Sequence, residues 1–208
     1  MATFEGTNAD ETLTGGVDDD TLIGLGGDDT LFGNGGNDTF WADFDEALGD
    51  EMYGGAGIDT LYTDYGLSLG PDAIIDSVET IVGNGNSIWF SGSGTFDLSS
   101  VTSHVDLDYY EGDSASQTIV TGLPDDEIWA GDGDDEVRAG AGDDTLVGEG
   151  GDDALYGEGG DDVFVVDFDE ALGDALYGGD GEDTIETGYG FTLGAGAVVD
   201  SIETIIGN

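Results

Sequence analysis

The chain is patterned in nines. From Gly6, six positions rich in glycine and aspartate are followed by three strand-like residues whose middle member is apolar: GTNADETLT, GGVDDDTLI from Gly15, GLGGDDTLF from Gly24 and GNGGNDTFW from Gly33. Three extra residues around Ala42 to Phe44 interrupt the period before DEALGDEMY, and GGAGIDTLY from Gly54 restores it. A second array begins with TGLPDDEIW at Thr121 and continues through AGDGDDEVR, AGAGDDTLV, GEGGDDALY and GEGGDDVFV. It then takes the same three-residue stretch and closes with DEALGDALY and GGDGEDTIE. The apolar middle residues are Leu13, Leu22, Leu31, Phe40, Met52 and Leu61, then Ile128, Val137, Leu146, Leu155, Phe164, Leu176 and Ile185. They predict short strands whose inward side chains form a ladder between two facing parallel sheets. One unit has too little apolar surface to bury alone, whereas stacked units share a continuous core. The fold class this predicts is all-β.

A larger repeat contains the small one. Asp43 to Asp50 recurs unaltered as Asp167 to Asp174, a shift of 124 positions, and the same shift superposes residues 6–84 on 130–208 with over half the positions identical. The chain is a tandem duplication, divided here into a first repeat block at 1–62, a β-rich connector at 63–120, a second block at 121–186 and a strand segment at 187–208 equivalent to 63–84. Within the connector, alternations such as Phe96/Leu98 and Val105/Leu107, separated by Ser and Gly turns, predict further short strands. The chain ends at Asn208, the equivalent of Asn84, where the first copy runs on, so truncation of a longer repeat is expected.

The six-residue half of each unit carries the chemistry. Early glycines permit positive φ and close backbone approach, so the segment turns tightly and aims its carbonyls at one point. If two units complete one coil, turns on the same side recur every eighteen residues and the sixth-position carboxylates stack at about 4.8 Å. Glu11, Asp20, Asp29, Asp38, Asp50 and Asp59 fall in register, as do Asp126, Asp135, Asp144, Asp153, Asp162, Asp174 and Asp183. The same-side pairs are Glu11/Asp29, Asp20/Asp38, Asp29/Asp50, Asp38/Asp59, Asp126/Asp144, Asp135/Asp153, Asp144/Asp162, Asp153/Asp174 and Asp162/Asp183. They make about nine candidate sites.

Charge then decides the ligand. Among 208 residues there are 49 acidic side chains, one basic side chain and one histidine, for a formal net charge of -48. Nucleic acid and anionic membrane surfaces recruit Lys and Arg and are excluded as partners. Cations are the natural partners. Two carboxylates about 5 Å apart repel by roughly 3 kcal/mol at an effective dielectric near 20, so several such pairs exceed the roughly 5–15 kcal/mol net stability of an ordinary domain. Ca²⁺ meets the need because it accepts six to eight oxygens at flexible angles, whereas Mg²⁺ demands stricter octahedral geometry. Metal binding and folding are then one event, and the calcium-free chain is expected to be disordered.

The unit closely resembles the G-G-x-G-x-D-x-U-x nonapeptide of the RTX (repeats-in-toxin, hemolysin-type) family. The match covers well over half of the chain, and DSVETIVGN at Asp76–Asn84 and DSIETIIGN at Asp200–Asn208 resemble segments interspersed in such proteins. The resemblance implies a parallel β-roll with calcium in the turns, export by a Gram-negative type I system without an N-terminal signal, and folding on meeting extracellular calcium. The second family glycine is replaced here by Leu25, Asn34, Glu149 and Glu158, with glycine one place later at Gly26, Gly35, Gly150 and Gly159. The turns are still expected to form, with Gly24, Gly26, Gly33, Gly35, Gly148, Gly150, Gly157 and Gly159 joining the carboxylates as metal-site residues. The first unit of each array, with Glu11 in one and Pro124 and Asp125 in the other, is an edge site expected to be weak or empty.

Little else suggests chemistry. No cysteine is present, so disulfides and Cys-zinc sites are excluded. No apolar run approaches the roughly 20 residues of a membrane span, and no N-terminal signal pattern is found. His104 alternates with Asp106 and Asp108, which reads best as a solvated strand face over Val105, Leu107 and Tyr109. A sole histidine excludes H-E-x-x-H chemistry and a hydrolytic triad has no support. The glycines cradle no phosphate, since the chain has no Lys. Asp43 to Gly49 reads as one helical turn whose recurrence duplication explains. Phe32, Trp41, Tyr53, Tyr62, Trp129, Tyr156 and Tyr177 should point outward, a stripe suited to polysaccharide or protein and equally explained by β-propensity. The leading reading is a non-enzymatic, calcium-binding module of a secreted bacterial protein. Its alternatives are an adhesin, surface-layer or polysaccharide-binding module, or the accessory module of a larger polysaccharide-modifying enzyme or protease.

Overall fold

The computed structural model describes residues 1–42, 48–122, 124–166, 173–188 and 192–207. Among them every regular element is a β-strand and no helix occurs. The chain folds as parallel sheets wound into a β-solenoid, the β-roll expected from the ninefold period. Two compact units emerge, one of Met1–Ser91 with Phe96–Asp108 and the other of Gly92–Thr95 with Tyr109–Asn208.

In the first unit, Thr3–Glu5, Thr21–Ile23, Thr39–Trp41, Thr60–Tyr62 and Thr80–Phe90 form one parallel sheet. Thr12–Thr14, Thr30–Gly35, Glu51–Ala56 and Ile74–Asp76 form the other. Consecutive units thus alternate between sheets, two per coil. The register places Phe4, Leu22, Phe40, Leu61 and Ile81 opposite one another in sequence, and likewise Leu13, Leu31, Met52 and Ile75. Leu22, Leu31, Phe40, Met52 and Leu61 are fully buried between the sheets, while Leu13, on the first strand of its sheet, is half-buried. Pairs that span the three-residue insertion lie 21 rather than 18 residues apart, as Leu31 and Met52 do, and keep the same register.

The second unit repeats the plan. Residues 109–111, Glu127–Trp129, Thr145–Val147, Val163–Val165, Thr184–Thr187 and Thr204–Gly207 line one sheet. Thr118–Val120, Glu136–Ala141, Ala154–Gly159, Ala175–Asp180 and Val198–Asp200 line the other. Ile128, Leu146, Phe164 and Ile185 stack on one side and Val137, Leu155 and Leu176 on the other, all buried.

The interspersed segments are repeat coils without the glycine turn. Ile75 registers with Met52 and Ile81 with Leu61, and Val199 and Ile205 take the corresponding places in the second unit. In the connector, Phe96 and Leu98 are buried as the alternation requires, with the Phe96 ring 4.7 Å from that of Phe90. Val105 differs. It lies on a strand, Ser103–Glu111, but is 48% exposed, while Leu107 and His104 are half-buried. Alternation fixes which residues share a face and leaves open which face is covered. The side chains of Asp106 and Asp108, and the turn expected at Asp43 with its copy at Asp167, lie outside what the structure describes.

The outward aromatics pair across neighbouring coils. Phe32 stacks on Tyr53 at 5.0 Å, Trp41 on Tyr62 at 5.1 Å and Tyr156 on Tyr177 at 4.7 Å, each nearly parallel. These are cross-strand contacts of the kind that stabilise sheets.

Candidate metal centre

Most of the described turns rest on two backbone conformations. The second position is left-handed: Leu25, Asn34, Glu149 and Glu158 adopt φ of 71°, 73°, 63° and 74°, the region Gly131 and Gly140 occupy in neighbouring units. The substitutions therefore keep the turn at the cost of some strain, of order 1 kcal/mol each. The fourth position meets the neighbouring coil most closely of all in three units. A Cβ on Gly57, Gly151 or Gly160 would overlap the carbonyl oxygen of Gly36, Gly133 or Gly142 one coil below. These fourth-position glycines, which sequence reasoning did not single out, let adjacent turns touch.

The glycines expected at the site occupy two different environments. At the first position, a Cβ on Gly24, Gly33, Gly148 or Gly157 would lie 2.0–2.6 Å from Oδ2 of Asp29, Asp38, Asp153 or Asp162, so the carboxylate would have to shift to admit one. At the third position, Gly26, Gly35 and Gly159 have space around them and Gly150 has somewhat less. The carbonyls of Gly150 and Gly159 accept hydrogen bonds from Gly133 N–H and Gly142 N–H at 2.6 and 2.9 Å, and each keeps a second lone pair.

The sixth-position side chains turn inward and stack in two files per unit. The N–H of each donates to Oδ1 of its partner one coil on: Glu11 to Asp29, Asp20 to Asp38, Asp29 to Asp50 and Asp38 to Asp59, at 2.6–2.8 Å. In the second unit Asp126 donates to Asp144, Asp135 to Asp153, Asp144 to Asp162, Asp153 to Asp174 and Asp162 to Asp183, at 2.7–3.0 Å. All nine pairs read from the sequence are thus neighbours. Every aspartate in them is buried. Glu11 is the exception: its longer, partly exposed carboxylate folds back onto Thr7 N–H and Oγ1.

The second oxygen of these carboxylates is what points to a cation. Oδ2 of Asp29, Asp38, Asp59, Asp135, Asp144, Asp153, Asp162 and Asp183 is buried without a hydrogen-bond partner. A buried carboxylate oxygen left so is costly and requires a proton or a positive charge. Burial pushes the Asp29, Asp38, Asp59 and Asp183 carboxyls up, against the pull of the backbone N–H each accepts. The same cause raises Asp135 and Asp162 to about 6 and Asp144 and Asp153 to about 7. Asp20 is lowered instead, by hydrogen bonds from Gly16 N–H and Ala2 N–H.

Among the described residues no three acidic or histidine side chains converge on one point. A cation here would therefore take carboxylate oxygens together with turn carbonyls, an all-oxygen set of the hardness Ca²⁺ prefers.

The files extend beyond the residues found by spacing. Asp59 N–H donates to Glu79 Oε2 and Asp183 N–H to Glu203 Oε2, both at 2.8 Å, while Gln117 N–H donates to Asp135 Oδ1 at 2.7 Å. Glu79-Thr80-Ile81 and Glu203-Thr204-Ile205 follow the Asp-Thr-Leu pattern of the units, the signal that identifies them. A second, exposed file runs along the fifth position with the opposite polarity: Asn37 N–H donates to Asp19 Oδ1, Asp143 to Asp125, Asp152 to Asp134 and Asp161 to Asp143, at 2.8–3.0 Å.

The family model described as the RTX calcium-binding nonapeptide repeat (4 copies) matches residues 5–40, 47–66, 111–146, 129–164 and 172–190, more than half of the chain. This chain belongs to the RTX calcium-binding repeat family. Calcium ions are accordingly its partners, and the RTX repeat is a structural rather than catalytic module. A comparison with curated proteins gave no match. In RTX terms the files of Asp29, Asp50 and Asp38, Asp59, and their second-unit counterparts, are the sixth-position aspartates of consecutive repeats.

Proposed function

We propose that this RTX module is a calcium-dependent folding element of a secreted bacterial protein, with ions held at about nine inter-coil positions, one for each stacked carboxylate pair. The observation that carries this reading is the row of buried, unpartnered Oδ2 atoms. The aspartates and the carbonyls of first- and third-position glycines, among them Gly24, Gly26, Gly33, Gly35, Gly148, Gly150, Gly157 and Gly159, would hold the ions. Calcium would neutralise the files, and this chain's own residues would supply the stacked turns, the left-handed second position and the apolar ladder. The Glu11 position would be weakest, because its carboxylate is already engaged by Thr7.

Coupling of this kind suits secretion. A chain kept unfolded at low calcium can pass a narrow type I exporter, then fold outside where calcium is abundant. Catalysis, where the parent protein has any, would reside outside this module. Polysaccharide binding by the outer aromatics finds less support, since Phe32, Tyr53, Trp41, Tyr62, Tyr156 and Tyr177 already stack on one another.

Far-UV circular dichroism during calcium titration tests the reading. Strand signal should rise cooperatively with calcium, vanish on chelation and fail to appear with equimolar Mg²⁺. A chelated chain with full strand content would refute it.

A further inference from the structure

The connector closes with a nonapeptide of different chemistry. GDSASQTIV, from Gly112, places Gln117 at the sixth position, where the units of both arrays carry Asp or Glu. The segment is nevertheless a full turn of the second unit. Its strand, Thr118–Val120, is in register with Glu136, Val137 and Arg138, Ile119 is fully buried and Gln117 is only 3% exposed. The joints to the next coil are also those of the charged rungs: Gln117 N–H donates to Asp135 Oδ1 at 2.7 Å, and Asp134 N–H to Ser116 Oγ, at the fifth position, at 3.1 Å.

The difference lies inside the turn. Gln117 Nε2 donates to the Gly92 carbonyl at 3.2 Å and to Asp113 Oδ1 at 3.0 Å. Asp113, at the second position, also accepts Ala115 N–H on Oδ1 at 2.8 Å and Gly92 N–H on Oδ2 at 2.7 Å. Both oxygens of this carboxylate are therefore engaged by N–H groups, whereas Asp135, Asp144 and Asp153 each keep a buried Oδ2 without a hydrogen-bond partner. Only the nitrogen end of a carboxamide can face two acceptors, which fixes which way round Gln117 lies.

We propose that the Gln117 carboxamide stands in for an ion, so that the inter-coil position between Gln117 and Asp135 takes no calcium and ion loading of this file begins at Asp135 and Asp153. The inference rests on the calcium reading above. The two Nε2 protons gather a backbone carbonyl and a carboxylate oxygen, the oxygen types a calcium ion collects in an all-oxygen site. A side-chain NH₂ only donates, so it turns positive charge toward the position and offers a cation no ligand there. Replacing one carboxylate of the rung by a neutral amide also removes the repulsion that makes a paired rung need a cation, and three N–H donors compensate the charge of Asp113. Gln117 is thus a specificity-determining residue that sets where the second unit's ion file starts.

The test is a long-wavelength anomalous map from crystals of the full chain grown in saturating calcium, which locates each ion. Peaks are expected between Asp135 and Asp153 and between Asp144 and Asp162, with none between Gln117 and Asp135. Gln117→Glu, nearly isosteric, exchanges the donors for a carboxylate beside Asp113 and should gain a peak at that position. A peak between Gln117 and Asp135 in the parent chain, or a folded Gln117→Glu chain without the added peak, would overturn the proposal. Should Gln117→Glu fail to fold, the parent map decides alone. Failure here is distinct from failure of the calcium reading: a map with ions at the aspartate pairs and also at Gln117 sinks only this inference, whereas a map without ions at the aspartate pairs sinks the reading on which it rests.

Discussion

The main-chain N–H of Asp144 donates to Oδ1 of Asp162 at 2.9 Å, and the companion Oδ2 of Asp162, a residue only 1% exposed, has no hydrogen-bond partner. One carboxylate thus does two things. Its first oxygen ties a coil to the next through the backbone, and its second is the one the proposed ion would engage.

Neutralising one inner carboxylate should weaken calcium-coupled folding more than neutralising one at an end. Asp153→Asn keeps an acceptor for Asp135 N–H but removes the charge on Oδ2, and is expected to raise the calcium concentration at the folding midpoint on the order of tenfold. Asp20→Asn, on a first coil whose carboxylate is already satisfied by Gly16 and Ala2 N–H groups, should shift it far less. Calcium titrations of the two variants, read by intrinsic fluorescence, make the comparison; equal shifts would contradict it.

Without calcium, acid should favour the fold. Burial raises Asp144 and Asp153 to about 7 and Asp135 and Asp162 to about 6, against roughly 4 in an unfolded chain. Between those values the folded form binds more protons, so its stability falls as pH rises through that window. Asp20, whose pKa is lowered, opposes this as a single group. A chelated sample should therefore hold more strand at pH 5 than at pH 8, and saturating calcium should remove most of the difference. More strand at pH 8 in chelator would be the wrong sign.

The two kinds of turn glycine should separate cleanly. Gly151→Ala places a methyl group onto the Gly133 carbonyl and should abolish calcium-dependent melting of the second unit. Gly159→Ala has room, and its melting temperature should stay within a few degrees of the parent, as expected for a change below about 1 kcal/mol. Scanning calorimetry in calcium distinguishes them.

Much of the fold was legible because the ninefold period carries both signals at once. Leu22, Leu31 and Phe40 mark the inward strand position, and Asp20, Asp29 and Asp38, two residues before each, mark the turn. Register followed from spacing alone, even across the insertion between Leu31 and Met52. The turn chemistry was less legible. Glycine stands at the third position instead of the second at Gly26, and the pattern predicts a turn without saying which residue carries the left-handed conformation. Leu25 itself takes φ 71°, since the stacked coils on either side dictate the backbone, and close approach of neighbouring coils demands glycine at the fourth position and at several first and second positions as well. Glu79 and Glu203 escaped notice because they lack the glycine turn that flags a unit. Val105 shows the limit of alternation: its neighbours name a face, and only the packing decides whether that face is covered.

Glu79 offers a check on that extension. Glu79→Ala leaves Asp59 N–H without its acceptor and should cost about 1–2 kcal/mol in calcium-loaded stability, measured by denaturant unfolding. A change below a few tenths of a kcal/mol would remove Glu79 from the ladder.

Amide hydrogen exchange at the rungs bears most directly on whether ions hold these carboxylates together. With saturating calcium, the N–H groups of Asp29, Asp38, Asp135, Asp144 and Asp162 should be among the slowest to exchange in the chain; with chelator at neutral pH they should exchange at the rate of an unfolded peptide. Rungs that stay protected after every ion has been stripped at that pH would show that the stack stands without metal.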